Sequence, residues 1–145
     1  MANRIDRKLA LLLSPLGILL GLAVYAKAGP HDPLAGQWTG RSQIDGDRLL
    51  AKTELTVRSD PQEVSLTIEG AATCKLRNGS VHADPNGAWS IAFANADGGD
   101  DCMRLVRAAF NVRRGPAART LLFDVTYPGA DGQPATRRGA LQHYP

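Results

Sequence analysis

Short runs in which apolar and polar residues alternate are the feature that most limits what this chain can fold into. In the run from residue 49 to 59, every second residue is small or apolar, namely Ala51, Thr53, Leu55 and Val57. The same period recurs in three later runs, with inward positions at Val64, Leu66 and Ile68, at Trp89, Ile91 and Phe93, and at Leu121, Phe123, Val125 and Tyr127. Successive side chains of a strand point to opposite faces, so these runs predict strands with one buried face.

Turn dipeptides separate the runs at short intervals. They are Asp45-Gly46, Asp60-Pro61, Asn78-Gly79, Asn86-Gly87, Gly98-Gly99, Gly115-Pro116 and Asp131-Gly132. Glycine adopts positive φ without steric cost, and Asn or Asp bonds back to its own turn, so such pairs favour chain reversal. No stretch has the length of a crossover helix. We therefore expect an all-β fold, a small antiparallel meander of about eight strands that closes as a barrel or packs as a sandwich.

Two stretches near the C-terminus complete the expected order. The stretch from 100 to 114 fits a helix that begins at Asp100 or Asp101, or a strand that buries Phe110 and Val112. We expect a short helical or irregular turn at 102–104, followed by a strand. The run from 135 to 144 is the predicted closing strand.

The predicted barrel domain, 34–145, opens on a Gly-x-Trp-x-Gly pattern in which Trp38 lies between Gly36 and Gly40. We expect Trp38 in the core, with the glycines allowing a second backbone or a long side chain to approach closely. In a closed barrel the last strand lies beside the first. We therefore expect Arg137 or Arg138 to stack on Trp38 as a cation–π contact.

Residues 1–28 have the composition of an export signal. Basic residues precede an apolar run from Leu9 to Tyr25, and Ala26-Lys27-Ala28 matches the small-x-small pattern of a cleavage site. The run of 17 residues is also at the short limit of a membrane-spanning helix. The prediction is a signal peptide cleaved after Ala28, with an N-terminal membrane anchor as the alternative. Either reading exports the domain, as a periplasmic or secreted protein or as a periplasmic domain anchored in the inner membrane.

Charge and cysteine content narrow the function classes. Of 17 basic and 14 acidic residues, 4 and 1 lie in residues 1–28, so the remainder carries 13 of each and nucleic acid is not an expected partner. The acidic excess lies before residue 102 and the basic excess after it, and we expect these charges to meet within one fold. The two cysteines, Cys74 and Cys102, are predicted to form a disulfide, against the alternative of a free buried thiol.

No constellation of catalytic or metal-binding residues stands out. His31, His82 and His143 lack metal-ligand spacing, and no serine lies in a nucleophile elbow. The acidic stretch 95–101 would suit calcium but lacks the closing glutamate, which favours a polar hairpin loop. Arginines between 104 and 138 suggest an anion-binding patch or a solvated outer face. We expect no enzyme activity and no cofactor.

The Gly36-x-Trp38 opening, together with a basic residue on the last strand, resembles the signature of the calycin barrels. More narrowly, an exported chain of this size with Leu34-Ala35-Gly36-Gln37-Trp38 and one cysteine pair resembles the bacterial serralysin-type metalloprotease inhibitors. That resemblance implies an eight-stranded barrel with one disulfide and an N-terminal arm that enters the protease active site. The arm would be the extended segment 29–33, namely Gly29, Pro30, His31, Asp32 and Pro33.

Three functions follow from these observations as hypotheses. The first is a non-catalytic envelope protein that binds another envelope or secreted protein, in its sharpest form a protease inhibitor acting through the arm. The second is a lipocalin-like carrier of a small ligand, although the predicted inward residues are bulky enough to fill an eight-stranded interior. The third is a membrane-anchored accessory subunit, which requires that the leader is retained; N-terminal sequencing would distinguish it, because a start at Gly29 excludes it.

Overall fold

The computed structural model describes residues 33–145, which form eight strands and one short helix. The predicted leader, 1–28, and arm residues Gly29, Pro30, His31 and Asp32 lie outside the described residues, whereas Pro33 lies in a turn before the first strand. The elements are β1 (Gly36–Ile44), β2 (Ala51–Ser59), β3 (Gln62–Glu69), β4 (Thr73–Ala83), β5 (Trp89–Asp97), α1 (Asp100–Met103), β6 (Phe110–Arg114), β7 (Thr120–Pro128) and β8 (Pro134–Tyr144).

The strands form a closed antiparallel barrel in chain order, and β8 pairs with β1 to complete it. This confirms the all-β meander and selects the barrel over the sandwich. The closing seam runs from Gln37 opposite Tyr144 to Ile44 opposite Arg137. Gly40 lies at the tightest point of the seam, where a Cβ would collide with the backbone of Ala140, so a close approach requires glycine there.

Alternation along the strands produces the core, as the sequence predicts. All inward positions named above in β2, β3, β5 and β7 are buried. Rings of β5, β6 and β7 fill the middle, with the Phe93 and Phe110 centroids 5.3 Å apart in an edge-to-face contact. The void between these side chains is about 10 Å³, which is no more than the space of about one water molecule. The middle of the barrel is therefore packed rather than hollow.

The stretch between β5 and β6 has the predicted helical turn followed by a strand. Helix α1 begins after Gly99, without a side-chain cap, and places Cys102 in the core. Cys102 forms the predicted disulfide with Cys74 of β4, with their Cα atoms 5.3 Å apart. Within residues 33–145 no helix has the length and apolar character needed to cross a membrane.

One predicted turn is wrong. Asn78 and Gly79 lie inside β4, which pairs with β5 on either side of Asn78, at Arg77 opposite Asn95 and at Gly79 opposite Phe93. Asn78 does adopt the left-handed conformation expected of a turn residue, with φ of 54°. The chain does not reverse there because β4 keeps its pairing with β5. Gly79 packs tightly against Phe93 and Val64, where a Cβ would come within 2.9 Å of each side chain.

Candidate ligand site at the open end of the barrel

The two ends of the barrel differ in construction. We call the end at which β1 begins the closed end; there Leu34, Trp38 and Trp89 are buried side chains that cover the core. We call the end at which β1 finishes the open end; there the loops 45–50, 70–72 and 129–133 surround a cavity together with α1.

Trp38 is the main plug of the closed end. Its indole Nε1 donates a hydrogen bond of 2.8 Å to the carbonyl oxygen of Leu34, which is fully buried. The ring of His143 lies edge-on to the indole, with centroids 4.9 Å apart. The segment that precedes β1 is therefore anchored to the barrel at Leu34.

The expected stacking of Arg137 or Arg138 on Trp38 is wrong. The β1–β8 register places His143 opposite Trp38, because β8 runs antiparallel and brings its last residues, not Arg137 and Arg138, to the start of β1. The close approach that glycine was expected to allow is nevertheless present. A Cβ at Gly36, where φ is 128°, would collide with the His143 ring.

Arg137 and Arg138 lie instead at the open end, on opposite faces of β8. Arg138 points outward, where it pairs with Asp45 at 3.2 Å and its side chain is 67% exposed. Arg137 lies opposite Ile44 of β1 and Val125 of β7, on the inward face, and is half-buried. Adjacent arginines therefore have opposite environments, and only one of them reaches the barrel interior.

The cavity at the open end has a volume of about 530 Å³ and is termed here the mouth cavity. This volume lies within the range typical of small-molecule sites. Its apolar lining includes Ile44, Leu49, Leu50, Ile68, Leu105 and Tyr127. The disulfide partners also line the cavity, so the link between β4 and α1 forms part of its wall.

The β1–β2 loop presents two leucines at the cavity rim. Leu49 and Leu50 are 71% and 55% exposed, so two adjacent apolar side chains face solvent there. The backbone N–H of Leu49 donates a 3.0 Å hydrogen bond to the Asp47 carboxylate, and the Gln43 amide donates to the carbonyl oxygen of Asp47. Local hydrogen bonds therefore hold the loop in a conformation that leaves both leucines beside the cavity.

Arg137, which lines the mouth cavity, belongs to a polar network in the barrel interior. Arg137 Nη1 donates a 3.0 Å hydrogen bond to Ser42 Oγ, and Ser42 Oγ lies 2.7 Å from Thr53 Oγ1. Ser42 and Thr53 are the buried polar residues of the described core. Arg137 Nε is also buried and has no hydrogen-bond acceptor. The cavity therefore combines apolar walls with two guanidiniums, those of Arg104 and Arg137.

Carboxylates near the cavity lie at its rim. Asp47, Asp100 and Asp101 line the cavity but are exposed. Asp101 pairs with Arg104 at 2.7 Å. Among the ion pairs of residues 33–145, none involves Arg137.

The other candidates from the sequence are not brought together into one site. Asp97, in the acidic stretch 95–101, lies 4.0 Å from Arg77, and the part of the chain that the structure describes contains no cluster of three or more potential metal ligands. Arg113 pairs with Asp124 at 3.0 Å on the outer surface. Arg114 lies over Trp89 at 5.7 Å, so a cation–π contact exists, but between a different pair.

Sequence reasoning missed the mouth cavity, although one signal for it was present. Ser42, Thr53 and Arg137 all occupy inward positions of strands whose other inward residues are largely apolar. Polar residues at adjacent inward positions indicate either a buried network or a site, because an isolated buried polar group is costly. In comparisons with known proteins, no protein-family model, no curated protein and no solved structure matches this chain.

Proposed function

We propose that this protein is a non-catalytic binding protein whose barrel holds a small, largely apolar molecule at its open end. The observation that carries the proposal is the mouth cavity of about 530 Å³, with apolar walls and exposed leucines at its rim. The middle of the barrel is filled, so the ligand would occupy the mouth rather than the interior of a deep calyx. Among the three functions considered from the sequence, this is a modified form of the small-ligand carrier.

Apolar contact supplies the expected affinity. Burial of apolar surface contributes about 25 cal/mol per Å² removed from water, and Leu49 and Leu50 leave such surface exposed in the free protein. A ligand that covers both leucines would remove this surface from water without unfolding the barrel. The disulfide and the loop hydrogen bonds preform the walls, which lowers the entropic cost of binding.

The test uses N-phenyl-1-naphthylamine, an uncharged probe that fluoresces in apolar surroundings, with protein purified without detergent. The variant Ala72→Trp places a large ring at the cavity rim and is expected to weaken probe binding at least tenfold. Ala117→Trp places the same ring on an exposed turn at the closed end and is the matched control. Equal binding by both variants, or no saturable binding by the parent protein, would exclude the mouth cavity as the site.

Protease inhibition through the arm is a second candidate, favoured by the anchoring of Leu34. An arm that must insert into an active site benefits from a fixed base, and Leu34 is buried and bonded to Trp38 at the closed end. Deletion of residues 29–33 would abolish inhibition of a secreted metalloprotease, whereas Ala72→Trp at the opposite end would leave it intact. Unchanged inhibition after the deletion would rule out the arm.

A further inference from the structure

Two arginines line the mouth cavity, and Arg104 is paired with Asp101 at 2.7 Å. Arg137 is half-buried, and no carboxylate of residues 33–145 lies within ion-pair distance of its guanidinium. Its hydrogen bond to Ser42 Oγ goes to a neutral hydroxyl, and its Nε is buried without an acceptor. An unpaired, partly desolvated charge is costly, and proteins normally compensate it with a counter-charge.

The other arginines of residues 33–145 show what is distinctive about Arg137. Five of them pair with a carboxylate, namely Arg58, Arg77, Arg104, Arg113 and Arg138. The five others without an ion pair, Arg41, Arg48, Arg107, Arg114 and Arg119, are all exposed to solvent, whereas Arg137 is half-buried and faces inward. Its position is not explained by packing alone, since an apolar residue would satisfy an inward position opposite Val125.

We propose that the mouth cavity binds an aliphatic carboxylate and that Arg137 binds its anionic head group. This inference rests on the proposed function and specifies its ligand class. The head would lie on the guanidinium of Arg137, and the chain would extend along the apolar wall towards Leu49 and Leu50. The planar guanidinium matches a carboxylate geometrically, and the resulting hydrogen bonds are charge-assisted.

The rim carboxylates are compatible with this orientation. Asp47, Asp100 and Asp101 are exposed, and Asp101 is already paired with Arg104. They therefore lie at the solvent side of the site, where screening weakens their repulsion of an anion. The same carboxylates would disfavour an anion that remained at the rim, which favours a head that reaches Arg137.

The first experiment compares decanoate with decanol on the parent protein, by displacement of the uncharged naphthylamine probe. Decanoate is expected to bind about 10- to 100-fold more tightly, the range that a charge-assisted hydrogen bond provides. Acetate, which has the head but no chain, is expected to bind at least tenfold more weakly than decanoate. Equal affinity for decanoate and decanol would overturn the inference, and so would acetate binding as tightly as decanoate.

The second experiment replaces Arg137. Arg137→Gln is expected to abolish the preference for decanoate over decanol, because the charge-assisted hydrogen bonds are lost. Arg138→Gln, on the next residue of the same strand but on the outer face, is the matched control and is expected to retain the preference. A preference that survives Arg137→Gln would overturn the inference.

The two proposals fail in different ways. If neither decanoate, decanol nor the probe binds the parent protein, the proposed function is wrong. If all three bind but charge makes no difference, the proposed function stands and the role of Arg137 is wrong. Should Arg137→Gln not fold, the ¹⁵N-detected Nε signal of Arg137 in the parent protein decides the matter, because decanoate is expected to shift it and decanol is not; equal shifts would count against the inference.

Discussion

The closed end and the open end of this barrel are stabilised by different interactions. At the closed end, Trp38 fills the barrel and is itself covered by Leu34 and His143. At the open end no aromatic plug occupies the described mouth cavity, and a disulfide holds α1 against β4 instead. Aromatic packing closes one end, and a covalent link supports the other around an empty volume.

This difference indicates which end contributes more to the stability of the barrel and which end is available to bind a ligand. A plug stabilises by removing apolar surface from water, which leaves no room for a ligand. At the open end the disulfide contributes to stability by constraining the unfolded chain, and apolar side chains such as that of Leu50 are exposed. We therefore expect substitutions at the closed end to affect the free energy of unfolding, and substitutions at the open end to affect ligand binding.

The largest expected effect is that of Trp38→Ala at the closed end. Removal of a buried aromatic side chain is expected to lower the free energy of unfolding by about 3–5 kcal/mol, since the packing of Leu34 and His143 is lost with it. Leu50→Ala, at the open end, is expected to change it by less than about 0.5 kcal/mol. Urea unfolding measures both, and similar losses in the two variants would contradict the comparison.

The second prediction concerns the support of the open end. The double variant Cys74→Ala/Cys102→Ala is expected to lose about 3–4 kcal/mol, since the disulfide closes a loop over a sequence separation of 28. Hydrogen exchange should show the loss of protection concentrated in α1 and the segment that leads to β6. Amides of the β1–β8 seam should exchange faster only to the extent that global stability falls.

A uniform increase in exchange would mean that the disulfide supports the whole barrel rather than one end. Reduction of the parent protein by dithiothreitol is the matched control, because it breaks the same bond without changing any side chain. It is expected to reproduce the exchange pattern of the double variant.

The smallest expected effect is that of glycine-to-alanine substitutions, which distinguish the cost of a positive φ angle from the cost of a steric clash. Gly36 and Gly46 both have positive φ, at 128° and 86°, but a Cβ at Gly36 would collide with His143, whereas one at Gly46 would meet nothing within 4 Å. Gly36→Ala is expected to cost about 1–3 kcal/mol, and Gly46→Ala about 1 kcal/mol or less. Thermal or urea unfolding of both variants measures the difference.

The double variant Gly36→Ala/His143→Ala then tests the cause. If the ring contact is responsible, the two substitutions are expected to be less costly together than the sum of their separate effects. Strict additivity would attribute the whole cost of Gly36→Ala to its φ angle.

The antiparallel meander was predictable from local information, whereas its closure as a barrel rather than a sandwich was not. Alternation at residues such as Leu55, Leu66, Ile91 and Phe123 assigns each strand a buried face, and that requirement is independent of which strands pair. The disulfide was also predictable, since Cys74 and Cys102 are the only two cysteines in the chain. Local information was less reliable at Asn78, where the turn conformation exists but the strand continues because of its pairing with β5.

The candidate site was not predictable to the same extent. The sequence indicated that Arg137 or Arg138 would matter near the closing seam, but placed them beside Trp38. Their actual position follows from the register of β8 on β1, which an isolated sequence pattern does not contain. The cavity depends further on how three loops and α1 are arranged around the open end of the barrel. Loops have no periodic sequence pattern that would predict this arrangement.

The sequence alone determined that this chain forms an antiparallel meander of strands with one buried face each and a tryptophan in its core, because burial and strand alternation are local properties of the chain. That the meander closes as a barrel was decided by the tertiary structure. Only the tertiary structure decided that His143 covers Trp38, that Arg137 faces inward while Arg138 faces outward, and that the apolar volume lies at one end. Those outcomes depend on distances between residues about a hundred positions apart, which barrel closure alone sets.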